Sequence, residues 1–129
     1  MPGLDPGMNF SCNKTMGRLT THVLDTMTGK PATGVRVVLR RDGEAAILAE
    51  GLTNADGRMD QPLLEGGAFK PGRYEITFHI GDYFRRQGAA LADPAFLDVI
   101  PLRFGIAEDT HYHVPLLVSP YGYSTYRGS

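Results

Sequence analysis

The chain holds a single cysteine, Cys12, in 129 residues. That excludes an intramolecular disulfide, a disulfide scaffold and a cysteine-built metal site, and it fits a reducing cytoplasm. Excess charge of one sign is also missing. With a formal net charge of −1, and basic residues scattered apart from pairs such as Arg40-Arg41 and Arg85-Arg86, no broad field exists to attract a nucleic acid or an anionic membrane surface. Residues Met1 to Gly17 contain no apolar run long enough for the core of a secretory signal, and no membrane span is visible. Without a secretory route, the sequons at Asn9 and Asn13 read as chance matches. There is no Gly-x-Ser-x-Gly elbow, no phosphate-cradling glycine loop and no His-Glu-x-x-His helix. Asn54-Ala55-Asp56-Gly57 lacks the distal glutamate of a calcium loop and reads as a turn.

What is present is an ordinary globular balance, 42% hydrophobic and 21% charged residues, in a chain of single-domain length. Short β-branched or aromatic runs recur between Gly, Pro, Asn and Asp from Arg18 onward, which is an all-β pattern. The predicted strands are Leu19 to Leu24, Val35 to Arg41, Ala46 to Thr53, Arg58 to Leu63, Arg73 to Ile80, Leu97 to Phe104, His111 to Ser119 and Tyr121 to Tyr126. About eight strands suit a two-sheet β-sandwich. One short helix is expected after Gly81, with Asp82 as its cap and Gly88 as its stop. Residues 1–17 read as a flexible N-terminal extension, and residues 18–129 as the folded domain.

Period-two alternation decides which polar residues share a face. His22 shares its side of a strand with Thr20 and Leu24, and a lone strand histidine is more often structural than catalytic. In His111-Tyr112-His113-Val114-Pro115-Leu116 the two imidazoles point one way, while Tyr112, Val114 and Leu116 point toward a core. Such a pair can bind a metal or supply a base that titrates near neutral pH. A closed zinc site wants four ligands, and no cysteine or carboxylate stands beside His113, so a base or substrate binder is favoured over a metal. Arg58, after the Asp56-Gly57 turn, reads by itself as an exposed charge. Tyr121, Tyr123 and Tyr126 crowd the last strand, and aromatics there suggest that Arg127 and Ser129 are packed down.

The run from His111 to Ser129, with His111-Tyr112-His113-Val114-Pro115-Leu116 and Ser119-Pro120-Tyr121-Gly122-Tyr123-Ser124-Thr125-Tyr126-Arg127-Gly128-Ser129, resembles the C-terminal signature of the transthyretin-related 5-hydroxyisourate hydrolases. The resemblance extends through Leu19 to Asp25, Thr28 to Ala32, Asp56-Gly57-Arg58 and Gly81 to Phe84, covering nearly everything after Met16. It implies an eight-stranded, transthyretin-like β-sandwich with one short helix, assembled as a homotetramer, a dimer of dimers with sites at the dimer–dimer interface. It also implies hydrolysis of 5-hydroxyisourate, the product of urate oxidation, to 2-oxo-4-hydroxy-4-carboxy-5-ureidoimidazoline, with no cofactor and no metal. The family's catalytic positions fall on His22, Arg58, His113 and Ser129. Substrate contacts fall on His22, Arg58, His111, Tyr126, Arg127 and Gly128. The same resemblance leaves as an alternative a transthyretin-like thyroid-hormone carrier, whose members lack the His22, Arg58 and His113 set; a reading from a different class is a structural or adhesive sandwich whose histidines pack or bind zinc incidentally.

Overall fold

Alternating burial along the strands builds two sheets that face each other in the computed structural model, which describes residues 17–128. The strands are β1 (Arg18–Asp25), β2 (Lys30–Pro31), β3 (Arg36–Arg41), β4 (Ile47–Leu52), β5 (Leu64–Glu65), β6 (Gly72–His79), β7 (Val99–Ile106), β8 (His111–Ser119) and β9 (Gly122–Thr125). The helix α1 (Ile80–Arg86) follows β6. One sheet has the order β2-β1-β8-β9, with β5 also paired to β1, and the other has the order β4-β3-β6-β7. All pairings are antiparallel except β1 with β8. The two parallel strands lie far apart in sequence, and the whole second sheet serves as their crossover.

The inner faces fill the space between the sheets. Leu19 and Val23 of β1 and Leu116 and Val118 of β8 meet Val37 and Leu39 of β3, Tyr74, Ile76 and Phe78 of β6, and Ile100 of β7, all essentially without solvent exposure. In β1 and β8 the alternate residues Arg18, Thr20, His22, His111 and His113 are left on the outer face. This is the alternation expected of a sheet buried on one side.

The all-β sandwich with one short helix is therefore as the sequence indicates, with local differences in where elements begin and end. The expected strand Arg58 to Leu63 breaks into an isolated bridge between Arg58 and His22 and the two-residue β5. Pro62 has no N–H to give a ladder at that point. The helix starts earlier than expected, at Ile80, and Asp82 lies in its first turn rather than capping it. Its first amides are instead satisfied by the Asp98 carbonyl, which accepts from Ile80 and Gly81 at 2.9 Å each. A Cβ on Gly81 would lie 2.3 Å from Asp98 Oδ1, so a larger residue there would have to turn the Asp98 side chain aside. Gly88, with a positive φ of 82°, stops the helix as expected. The extension expected over residues 1–17 lies, apart from Gly17, outside the described residues. Gly17 is buried and donates its N–H to Asp109 Oδ1 at 2.7 Å.

Asp25 ties the end of β1 to α1. It is 1% exposed, and its Oδ1 accepts from the Met27 and Thr28 amides at 2.9 and 3.3 Å while Oδ2 accepts from the Tyr83 hydroxyl at 2.9 Å. Burial, followed by this bond to a carboxylate, pushes the Tyr83 phenol up to about 12. A buried carboxylate persists only when hydrogen-bonded in this way. Tyr83→Phe leaves Asp25 one donor short, so chemical denaturation should show a loss of about 1.5–3 kcal/mol, the usual contribution of a hydrogen bond to a charged group. An unchanged denaturation midpoint would show that the Asp25–Tyr83 link does not stabilise the fold.

Candidate active site

Parallel register places the outward residues of β1 and β8 side by side: Arg18 pairs with His111 and Thr20 with His113, while His22 pairs with Pro115. The Thr20 hydroxyl stands between the two imidazoles. Its Oγ1 is 2.8 Å from His111 Nε2 and 2.8 Å from His113 Nδ1. With Nδ1 engaged, Nε2 is the nitrogen that His113 has left for a substrate or water.

Arg58 reaches the site because a tight turn delivers it to the other edge of β1. The Asn54 carbonyl accepts from the Gly57 amide at 2.9 Å, closing the turn, and the Gly57 carbonyl accepts from the Val23 amide at 2.8 Å, docking it. The Asn54 side-chain oxygen accepts from the Asp56 and Arg58 amides at 2.9 and 3.2 Å. Gly57 has φ of 75°, and a Cβ there would lie 2.5 Å from the Val23 carbonyl oxygen and 3.2 Å from His22 Cδ2. Conformation and close approach thus both require glycine at this turn.

The C-terminal segment borders β8 on the opposite side. Gly128 donates its N–H to the His113 carbonyl at 2.8 Å, and a Cβ on Gly128 would lie 2.8 Å from His113 Cδ2. The Arg127 guanidinium lies 4.1 Å over the Tyr112 ring and donates to the His111 carbonyl at 3.4 Å. The expectation that tyrosines pack this end down needs correction, because Tyr121, Tyr123 and Tyr126 are all exposed. Backbone pairing to β8 and the Arg127–Tyr112 stack hold the segment instead. Ser129 lies outside the described residues.

Strands β1 and β8 and the segment that begins at Arg58 border an open cavity of about 320 Å³ lined by Arg18, Thr20, Thr21, Arg58, Met59, Gln61, His111 and His113. His22 does not line it but is bridged to Arg58 at its border. Tyr126 and Arg127 line a separate, mainly apolar groove of about 270 Å³ that also includes Phe104 of β7 and Val114 of β8. The structure therefore brings together Arg58, His111 and His113, sets His22 and Gly128 against them, and turns Tyr126 and Arg127 to another surface. Thr20 and Arg18 escaped the sequence reading. Alternation does place both on the His22 face, but only the pairing of β1 with β8 sets them against the two histidines.

The electrostatics favour neutral imidazoles. His113 lies below the ordinary histidine range because of its burial and then the charges of Arg58, His111 and His22. His22 is lowered by burial and then Arg58, against the opposing effect of an Asp56 backbone hydrogen bond and carboxylate. His111 is lowered by burial and then Arg18. Among the described residues, two guanidinium groups and no carboxylate line the cavity, an arrangement that suits an oxygen-rich or anionic ligand and unprotonated bases. Among the described residues, no group of three or more His, Cys, Asp or Glu side chains is placed to hold a metal ion. Because a neighbouring cation disfavours imidazolium, Arg58→Gln should raise the titration midpoints of His22 and His113, and Arg18→Gln that of His111. Imidazole shifts followed by NMR against pH check this, and midpoints that stay put or fall would contradict the assignment.

Comparison with known proteins gives consistent matches. A model of the HIUase/Transthyretin family matches residues 19–128. The protein of Rhizobium meliloti (strain 1021) named 5-hydroxyisourate hydrolase 2 is 63% identical over 116 residues, covering 88% of this chain and 97% of the relative. The solved structure of Klebsiella pneumoniae 5-hydroxyisourate hydrolase superposes with a TM-score of 0.75 at 41% identity, covering 88% of this chain and 100% of that one. Sea bream transthyretin in complex with thyroxine superposes with a TM-score of 0.75 at 28% identity, covering 86% of this chain and 94% of that one.

Proposed function

The chain belongs to the HIUase/Transthyretin family and hydrolyses 5-hydroxyisourate, and we propose that it does so at the cavity between β1, β8 and Arg58. The observation that carries this placement is the convergence of His113, His111 and Arg58 on one cavity, with His22 bridged to Arg58. The carrier reading loses to it because the hydrolase relatives are far more similar than the transthyretin, and because cationic and imidazole groups line the cavity.

His113 acts as the general base. Neutral at working pH, its Nε2 takes a proton from water as the oxygen adds to a ring carbonyl of the substrate. Arg58 presents its planar fork to the carbonyl oxygen and stabilises the negative charge that develops there. The scissile C–N bond then breaks, and the proton held by the histidine goes to the leaving nitrogen. His22 hydrogen-bonds the substrate beside Arg58, and His111 and Gly128 border it. Ser129 orients the water or the ring, and Tyr126 and Arg127 position the terminal segment. The reaction runs without cofactor or metal.

The assembly is a homotetramer, a dimer of dimers with its sites at the dimer–dimer interface. The cavity lies on an outer sheet face, and β9 is an edge strand exposed at every residue, a ready template for pairing. Residues 18–129 form the hydrolase domain, preceded in sequence by residues 1–17, and the protein works in the cytoplasm. No helix among the described residues is long and apolar enough to cross a membrane.

5-Hydroxyisourate made in situ with urate oxidase, its ultraviolet decay followed with and without the protein, tests the reaction. His22→Ala, Arg58→Ala and His113→Ala should each stay folded and lose about 10²–10⁴-fold in turnover, the range of acid–base and oxyanion stabilisation. Wild-type rates in all three would defeat the assignment. Since the base must be unprotonated and His113 is held below the ordinary value, activity should fall with decreasing pH only below about 6.5. A midpoint above that value would exclude His113 as the base. Light scattering should report four chains per particle, and a monomer at assay concentration would refute the tetramer.

A further inference from the structure

Thr20 has more acceptor nitrogens within reach than it has protons to give. Its Oγ1 lies 2.8 Å from both His111 Nε2 and His113 Nδ1, and a hydroxyl carries one hydrogen. At least one of the two rings must therefore hold its own proton on the nitrogen that faces Thr20. The bridging geometry follows from the fold: Thr20 is the register partner of His113, and His111 lies two residues earlier on the same face of β8.

We propose that His111, Thr20 and His113 form a proton relay in which Thr20 is a positioning residue, fixing His113 with its proton on Nδ1 so that Nε2 presents a lone pair to the cavity. The proposal rests on the reading of His113 as the base. In the resting state His113 Nδ1–H donates to Thr20 Oγ1, and the Thr20 hydroxyl donates to His111 Nε2. When His113 Nε2 takes a proton from water, the Nδ1 proton passes to Thr20 Oγ1 and the Thr20 proton passes to His111 Nε2. One N–H and one O–H bond break and one of each forms, so the positive charge moves from His113 to His111. The reverse shift returns it for delivery to the leaving nitrogen.

The two rings have different charged neighbours. Among the described residues, the charged and titratable groups facing the pair are Arg18 and His22 from β1, Arg58 from its turn and Arg127, which donates to the His111 carbonyl. His113 feels Arg58, His22 and His111, whereas His111 feels Arg18. Passing the charge to His111 takes it away from Arg58, the cation that must stabilise the developing oxyanion.

Thr20→Val keeps the branched shape and removes the hydroxyl, while Thr20→Ser keeps the hydroxyl. With the fold checked by circular dichroism, Thr20→Val should lower kcat about tenfold or more and leave KM within about twofold, and Thr20→Ser should recover most of the rate. Nitrogen-15 spectra of the imidazoles should show wild-type His113 protonated on Nδ1 and titrating together with His111, and the two rings titrating independently in Thr20→Val. Wild-type kcat and unchanged titration in Thr20→Val would overturn the relay, as would a Thr20→Ser variant as slow as Thr20→Val. If Thr20→Val does not fold, the wild-type spectrum decides, and a His113 ring protonated on Nε2 alone overturns it. A wild type with coupled rings that fails to speed hydroxyisourate decay would instead overturn the reading of His113 as a hydrolytic base.

Discussion

Eight consecutive residue pairs, from Arg18 with His111 to Asp25 with Val118, join β1 to β8 in parallel register, and the site depends on that ladder. The inner half of these residues is buried, mostly apolar apart from Thr21 and Asp25, and the outer half supplies Arg18, Thr20, His22, His111 and His113. Because strand side chains alternate, a slip of one residue would send the imidazoles into the core and the leucines and valines into water. The burial that stabilises the sandwich therefore also fixes the position of the histidines.

Two glycines let further chain segments close on this ladder. Gly57 brings the Arg58 turn against Val23 and His22, and Gly128 brings the C-terminal segment against His113, in each case at distances a side chain would not allow. Arg58 and the terminal segment thus flank the histidines from opposite edges. At the far end of β1, Asp25 is locked to the following turn and to Tyr83 of α1. The strand carrying His22 and Thr20 is consequently held at both ends and along both edges.

The charge balance in the cavity follows from the same arrangement. Burial first and the neighbouring arginines second keep the histidines neutral, which suits a base, and the arginines supply donors for oxygen atoms, which suits the oxyanion of acyl transfer. The Asp56 carboxylate opposes this at His22, without reversing it. Partial burial strengthens both effects, because desolvation is the largest single influence on each of the three site histidines.

By itself the sequence determined the all-β class, most strand positions, the common face of His111 and His113 and the turn before Arg58, because alternation and turn chemistry are local properties. Its resemblance to known hydrolases added His22, Arg58 and His113 as a set. Tertiary structure alone decided that β1 lies beside β8, since nothing local records which of several similar strands will pair. That pairing made Thr20 the bridge between two histidines and Arg18 part of the cavity, although the residues concerned are about ninety positions apart in the chain. It also replaced the expected strand Arg58 to Leu63 with a bridge and a short strand, and it held the terminal segment by backbone pairing while leaving the tyrosines exposed. The physical reason is that burial and hydrogen-bond partners belong to the packed sheets, and period-two patterning specifies only which way a side chain points.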